Sequence, residues 1–395
     1  MSQAVILIVG ARAVRTLTYG ILSVVLAVLL ADKGLSPTLV GILFTVALAA
    51  GALWAAVLSQ IADRVGRRTI LMAAGLLTTI SAILLAQANG FPLLLLAVAL
   101  GTVSPSAAEV GPFGALEQAM LAQIVAVERR TRAFAVYNLV GTFAIAVGAL
   151  AASFIARGAL LWAYGLSGIV LAACYASLGS GVELRAAGRP KASAKGHTAA
   201  LPTPAVPHRL GIVERLTALF GVDALAGGLV VQSFIAYWFH LRFGVDERVL
   251  GELLFGANLL AAFSFLAAAR LAERFGLLNT MVFTHLPSNV LLAMVPLMPT
   301  LPLAMIVLWL RFALSQMDVP TRQAYTMAIV PPEERARAAG LTNAVRPGAQ
   351  ALSPIIAGIA VQHAAFGLPF YLAGLIKIAY DLALYKIFRP VKLRE

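Results

Sequence analysis

Arg12 and Arg15, Glu109 and Glu117, Asp223, and Arg311, Asp318 and Arg322 lie inside long stretches of otherwise apolar residues. An ionisable group in hydrocarbon is costly unless paired or hydrated, so each of these needs a partner or a task. Two kinds of chemistry suit the set. A carboxylate whose surroundings alternate between dry and cation-paired can take up a proton on one side and release it on the other. A guanidinium fork can hold an organic carboxylate through parallel hydrogen bonds.

Spacing groups these residues. At about 100° per residue, Arg311, Ser315, Asp318 and Arg322 fall within an arc of about 60° on one helix. Asp318 and Arg322, four apart, are expected to pair on that face. Arg12, Arg15 and Tyr19 form a second stripe. Glu109, Phe113, Glu117 and Met120 form a third, with Pro105 and Pro112 placed to kink it. Asp223, Gly227, Val230, Phe234 and Trp238 form a fourth, where Gly227-Gly228 allows a bend. Glu109 and Asp223 lie near the middles of their stretches and are the expected proton carriers. Asp318 is a third candidate, expected to be held by Arg311 or Arg322. Lys377 and Asp381 read as a neutralised structural pair. The arginines Arg12, Arg15, Arg311, Arg322 and Arg346 slightly outweigh the carboxylates opposite them, which favours an anionic or zwitterionic solute over a lipophilic cation.

The elements that position them are membrane helices. With 61% hydrophobic and 12% charged residues and a mean hydropathy of +0.90, a soluble domain would have no polar coat. A membrane helix needs about 20 mostly apolar residues, and twelve segments qualify, at about 5–31, 37–62, 69–90, 93–125, 132–156, 159–181, 213–241, 249–271, 278–299, 301–329, 336–361 and 366–389. Met1–Gly10 lacks a basic start and a small-residue cleavage site, so the first segment is expected to be retained. The single cysteine, Cys174, sits inside the sixth segment and has no intrachain disulfide partner. A pI of 10.4 raises the question of nucleic acid. If the amino terminus is inside, however, the outer loops hold only Lys33, Arg157, Arg242 and Arg248, and most other basic residues fall in cytoplasmic stretches. That is the positive-inside pattern, so the net charge of +13 reports topology and lipid contact rather than a nucleic-acid partner. Both termini are therefore expected in the cytoplasm of a multi-pass protein of the cytoplasmic (inner) membrane.

The polar stretch 183–211, with Pro190, Pro202, Pro204 and Pro207, reads as a cytoplasmic linker between bundles at 1–182 and 212–395. Echoes across it indicate duplication. Asp63-Arg64-Val65-Gly66-Arg67-Arg68 returns about 210 residues later as Glu273-Arg274-Phe275-Gly276-Leu277-Leu278. Gly34-Leu35-Ser36 with Gly41 matches Gly244-Val245-Asp246 with Gly251, where Ser36 and Asp246 are expected to cap the following helices. Glu128-Arg129-Arg130-Thr131-Arg132-Ala133 with Asn138 matches Glu333-Glu334-Arg335-Ala336-Arg337-Ala338 with Asn343, and Gln118-Ala119 matches Gln323-Ala324.

The loop Ser59-Gln60-Ile61-Ala62-Asp63-Arg64-Val65-Gly66-Arg67-Arg68 carries a family resemblance. The chain resembles a bacterial twelve-helix member of the major facilitator superfamily, whose signature between helices 2 and 3 is G-x-x-x-D-R-x-G-R-R; only Ser59 departs from it. The resemblance covers the whole length. It implies an all-α fold of two pseudo-symmetric six-helix bundles, a central cavity lined by helices 1, 4, 7 and 10, and a functional monomer. It also implies that Ser59, Asp63, Arg64, Gly66, Arg67 and Arg68 form a cytoplasmic latch in the outward-open state. On that basis Arg12, Arg15, Tyr19, Phe113, Glu117, Phe234, Trp238, Arg311 and Arg322 are candidates for contact with a solute. Gly141, Gly148, Ala151 and Ala152 in the fifth helix, and Ala349, Ala351, Ser353 and Gly358 in the eleventh, suit close packing across the interface between halves.

The expected function is secondary transport of a small organic solute by alternating access, coupled to protons, with the bilayer, the solute and protons as partners and no cofactor. A soft-metal importer of the same superfamily is an alternative, with Met281 and His285 as ligands. Drug or metabolite efflux is another, although the fifth helix lacks the Gly-Pro-x-x-Gly-Gly element usual in drug–proton antiporters. A receptor or scaffold is a third, weakened because no soluble output domain is evident. No metal triad, nucleophile elbow or phosphate loop points to an enzyme. Because the second repeat of the loop keeps the acid but replaces Arg67-Arg68 with leucines, a full latch is expected only in the first half. Asp63→Asn is then expected to cut transport in vesicles without changing the amount of protein in the membrane, and normal flux would remove the latch.

Overall fold

The computed structural model describes residues 3–109, 111–179, 211–330 and 334–391, without the side chains of Asp63, Val127, Glu128, Thr131, Arg335, Ala336 and Ala339. Stretch 183–210 of the expected linker, and Glu333, lie outside the described residues. Among the described residues every regular element is helical. The first half comprises α1 (Gln3–Asp32), α2 (Pro37–Val65), α3 (Arg67–Gln87), α4 (Phe91–Ala99), α5 (Phe113–Ile124), α6 (Val127–Ala151) and α7 (Arg157–Ala176). The second comprises α8 (Ile212–Gly228), α9 (Gln232–Phe243), α10 (Glu247–Phe275), α11 (Leu277–Met294), α12 (Leu301–Ser315), α13 (Asp318–Ile329), α14 (Arg335–Ala351), α15 (Pro354–Gln362) and α16 (Leu368–Phe388).

The repeats in sequence are repeats in geometry. Ser36 Oγ accepts from Leu39 N at 3.4 Å and Asp246 Oδ1 from Val249 N at 3.2 Å, so both cap as expected. Gly66 and Gly276 each close one long helix and open the next with φ of 102° and 83°, a backbone that a side chain would strain. Gly41 and Gly251 each sit against the opposite half: a Cβ at Gly41 would overlap Pro354 O on α15, and one at Gly251 would overlap Ala149 O on α6. Gly141 and Gly148 do otherwise than expected. They face Arg12 and Leu17 of α1, so they bring helices together within one half. Gly358 does pack across the seam, against Pro37 and Gly41.

Among the described residues, eleven helical spans are long and apolar enough to cross a bilayer, some of them made of two successive helices. The fourth expected segment is not one helix but two, α4 and α5, separated by residues 100–112. Gly101 and Gly111 take φ of 72° and 66°, Ala107 takes 55°, and Pro112 has no N–H to continue a helix. An irregular stretch at membrane depth survives only if protein satisfies its backbone. Here Trp54 Nε1 donates to Ala99 O at 3.1 Å and Ser104 Oγ to Ala108 O at 2.7 Å. Pro105 O accepts from Ser233 N at 2.9 Å. Ser233 belongs to the first turn of α9, just beyond the break that follows Gly227-Gly228, so two discontinuous helices from opposite halves complete one another. Two further breaks fall at Gln316-Met317 and at Leu352-Ser353 before Pro354.

Hydrogen bonds that join the halves are found at the end holding the α1–α2 turn. Thr38 N donates to Gln362 Oε1 at 3.2 Å, Ile355 N to Thr45 Oγ1 at 3.1 Å, Ser153 Oγ to Arg248 O at 2.9 Å and Gln232 Nε2 to Ser23 Oγ at 3.0 Å. Arg157 bridges Asp32 of its own half and Glu247 of the other. Closure there depends on the two seam glycines. Gly41→Val or Gly251→Val is expected to destabilise that closure by about 1–3 kcal/mol, the usual cost of overpacking. Spin labels at Thr38 and Gln362, in a Cys174→Ser background, would then report longer distances than in the parent. An unchanged distance distribution would show that the seam does not depend on these contacts.

Candidate functional site

Ten of the embedded charges fall into two clusters, one in each half, and pair within their own half. In the first, Arg15 is 1% exposed and lies between both glutamates. Its Nη1 donates to Glu117 Oε1 at 2.8 Å and its Nη2 to Glu117 Oε2 at 2.7 Å, a bidentate fork. Tyr175 and Tyr137 hydroxyls donate to the same two carboxylate oxygens at 2.5 and 2.6 Å. Phe113 lies under the guanidinium, 4.7 Å from its carbon, and stacks on Tyr175. Glu117 is fully buried, with each oxygen bonded twice.

Glu109 is held differently. It stands in the irregular stretch before α5, not on a helical stripe, because the α4–α5 break moves it off the face of Glu117. Arg15 Nη2 reaches its two oxygens at 3.1 and 3.3 Å, and Arg12 forms an ion pair with it. Its side chain is 26% exposed. It borders a cavity of 110 Å³ between the halves, which Gly51, Ala52 and Ala55 of α2 and Pro347 and Gln350 of α14 also line. Arg12 rests 4.7 Å over the Tyr137 ring, in space that only glycine at 141 leaves open. Tyr19 is buried beyond Arg15, and its hydroxyl has no hydrogen-bond partner.

The second cluster centres on Asp223. Lys377 pairs with its Oδ1, while Arg346 and Arg322 approach Oδ2 at 3.2 and 3.6 Å. Arg322 also pairs with Asp318 at 2.6 Å, as the four-residue spacing predicts. The expected Lys377–Asp381 pair is not formed. Lys377 turns to Asp223, and Asp381 accepts from His285 Nδ1 and Asn289 Nδ2, both at 2.9 Å. Spacing on one helix could not show that α8 and α11 each supply a nearer partner. Arg311 is separated from Asp318 by the break at Gln316-Met317. Its guanidinium lies 4.6 Å over Phe312, its Nε is buried without a hydrogen-bond partner, and no carboxylate pairs with it among the described residues.

Other candidates are placed away from these clusters. Phe234 and Trp238 lie in the apolar core; Trp238 packs 4.8 Å from Phe370 and donates to Phe366 O at 2.7 Å. Met281 is buried in the cluster that holds Val213, Leu216 and Phe220, and the Nδ1 of His285 is engaged by Asp381. In the loop, Arg64 is exposed, Arg67 Nη1 donates to Gln123 at 3.3 Å, and Arg68 bonds Ala176 O, all within the first half. Ser59 Oγ donates to Ala56 O at 3.1 Å. The Asp63 side chain lies outside what is described. Sequence reading missed Tyr137, Tyr175 and Asn289. The available signal was a lone hydroxyl or amide in an aliphatic segment, which a search for charges passes over.

Comparisons with known proteins agree with this architecture. The family model described as Major Facilitator Superfamily matches residues 8–312 and 217–395. An uncharacterized membrane protein of Saccharomyces cerevisiae is 25% identical, over 95% of this chain and 92% of its own. The nucleoside transporter NupG has a similar structure, with a TM-score of 0.73 at 13% identity, covering 98% of this chain and 100% of that one. So does the human organic anion transporter MFSD10, with 0.67 at 16% identity, covering 97% and 100%.

The contrast between the two glutamates is measurable. Removing one partner of a buried, hydrogen-bonded ion pair costs about 3–5 kcal/mol. Glu117→Gln is therefore expected to lower the thermal unfolding midpoint of the purified protein markedly, and Glu109→Gln much less. Equal losses would contradict the assignment of Glu117 as the structural carboxylate of the cluster and Glu109 as its part-exposed one.

Proposed function

The chain belongs to the Major Facilitator Superfamily, and from that premise we propose that this secondary transporter moves a small anionic or zwitterionic organic solute coupled to protons. The observation that carries the reading is Glu109: a carboxylate paired with two arginines that also faces the cavity between the halves. A proton carrier must meet both conditions, contact with the solute path and a charge partner that its protonation would release. Asp223 is the counterpart in the second half, held by three cations of which Arg346 is the most exposed.

The sign of the cargo follows from charge balance. Arg12, Arg15, Arg311, Arg322, Arg346 and Lys377 stand against Glu109, Glu117, Asp223, Asp318 and Asp381, and Arg311 is the cation left over. An uncompensated guanidinium at depth favours a negatively charged group arriving with the solute. The two solved relatives carry a nucleoside and an organic anion on the same fold, so the fold leaves the choice to such side chains.

With the amino terminus in the cytoplasm, the closed end with Asp32, Arg157 and Glu247 faces outward. An end closed on the outer side is what an inward-facing state of such a transporter requires. Rocking of the halves would open the Arg157 bridge and close the loop end. Placement in the cytoplasmic membrane and action as a monomer complete the proposal.

Reconstituted into liposomes under an imposed pH gradient, the protein is expected to accumulate a solute found by thermal-shift screening of organic acids and amino acids. Glu109→Gln and Asp223→Asn should each abolish gradient-driven accumulation while retaining exchange. Unchanged accumulation in both variants would rule out proton coupling through these residues.

A further inference from the structure

We propose that Arg12, Arg15 and the first turn of α5 form a carboxylate-binding site which Glu109 occupies in this state and yields to the carboxylate of the solute when it is protonated. The proposal rests on the proton-coupled reading above and assigns the place and order of the exchange.

Three observations identify Glu109 as a replaceable occupant. Glu117, with Tyr137 and Tyr175, already saturates the best donors of Arg15, and Glu109 takes the remaining contacts at 3.1 and 3.3 Å. Glu109 hangs from backbone rather than a helix, between Ala107 and Gly111, both at positive φ. Its carboxylate reaches back to the start of α5, where a Cβ at Gly114 would lie 3.0 Å from Oε2 and where Pro112 supplies no side-chain cap. The unpaired N–H groups of a helix start favour any carboxylate placed there.

The receptor stays built when Glu109 leaves. Arg15 remains fixed by Glu117, Tyr175 and Phe113, and Arg12 remains over Tyr137 in the space left by Gly141. The Nε edge of Arg12 is packed on Gly141, and its Nη1 faces the carboxylate position, so the guanidinium keeps its orientation when Glu109 leaves. The way in is the 110 Å³ cavity that Glu109 borders.

Charge balance makes the exchange coupled. The charged and titratable groups facing Glu109 are Arg12 and Arg15 on α1, Glu117 on α5, Tyr137 on α6 and Tyr175 on α7, while α2 and α14 present none at the cavity. Two guanidinium groups thus face two carboxylates. A proton on Glu109 alone would leave Arg12 without its counter-charge. A solute carboxylate beside an ionised Glu109 would put three negative groups against two positive ones. Only the two together restore neutrality: the proton stays on a Glu109 oxygen, its ion pairs with Arg12 and Arg15 break, and the solute carboxylate makes the replacements. One proton then accompanies each carboxylate, and the first half carries no net charge across.

Glu109→Ala in the purified full-length protein tests this, with acetate as the probe because it replaces the group removed. Acetate is expected to raise the unfolding midpoint of the Glu109→Ala protein by several degrees, saturably, where chloride at equal ionic strength does not. The Glu109→Ala/Arg12→Gln double variant should lose the response. Wild type should show none at neutral pH and gain one on mild acidification, so this arm decides the matter even if the alanine variant does not fold. Equal effects of acetate and chloride, or a response that survives in the double variant, would overturn the site. A specific acetate response without gradient-driven accumulation in liposomes would instead overturn the transport reading and leave the site standing.

Discussion

A bilayer core supplies neither water nor counter-ions, so every charge and every broken turn of helix must be satisfied by the protein itself. The rest of the structure follows from that constraint. It explains why Glu117, a fully buried acid, has an arginine fork on both oxygens and two tyrosine hydroxyls besides. It explains why the irregular stretch between α4 and α5 gives Pro105 O to the first turn of α9. Seen this way, Glu109 stands out as the one acid of that cluster satisfied loosely and at the edge of an open space.

The two halves share a scaffold but not a chemistry. The duplicated turns at Gly66 and Gly276, and the duplicated seam glycines Gly41 and Gly251, set equivalent backbones against one another. The clusters hung on that frame differ. The first is a closed set of two arginines and two glutamates with tyrosines. The second gathers Asp223, Asp318 and Asp381 with Arg322, Arg346, Lys377 and His285, and leaves Arg311 over.

Much of the fold was legible in the sequence because apolar length, turn chemistry and repetition are local signals. The caps at Ser36 and Asp246 and the Asp318–Arg322 pair are short-range, and they occur as read. What was not legible depends on contacts between distant segments. Nothing local to Lys377 says that Asp223, 154 residues away, will be nearer than Asp381 on its own helix. Prolines 105 and 112 signal a kink, yet only the hydrogen bonds from Trp54 and Ser233 let the kink widen into a break that carries Glu109 off its stripe. Tyr137 and Tyr175 escaped notice because their role is to complete a carboxylate that another segment provides.

The proposed exchange puts proton and carboxylate at one place, on Arg12 and Arg15. Proton uptake on acetate binding, followed with a pH indicator in weakly buffered detergent solution, tests it most directly. One proton is expected to be taken up for each acetate bound to the wild-type protein, and none in Glu109→Gln. Saturable acetate binding to wild type without proton uptake, or uptake that persists in Glu109→Gln, would contradict it.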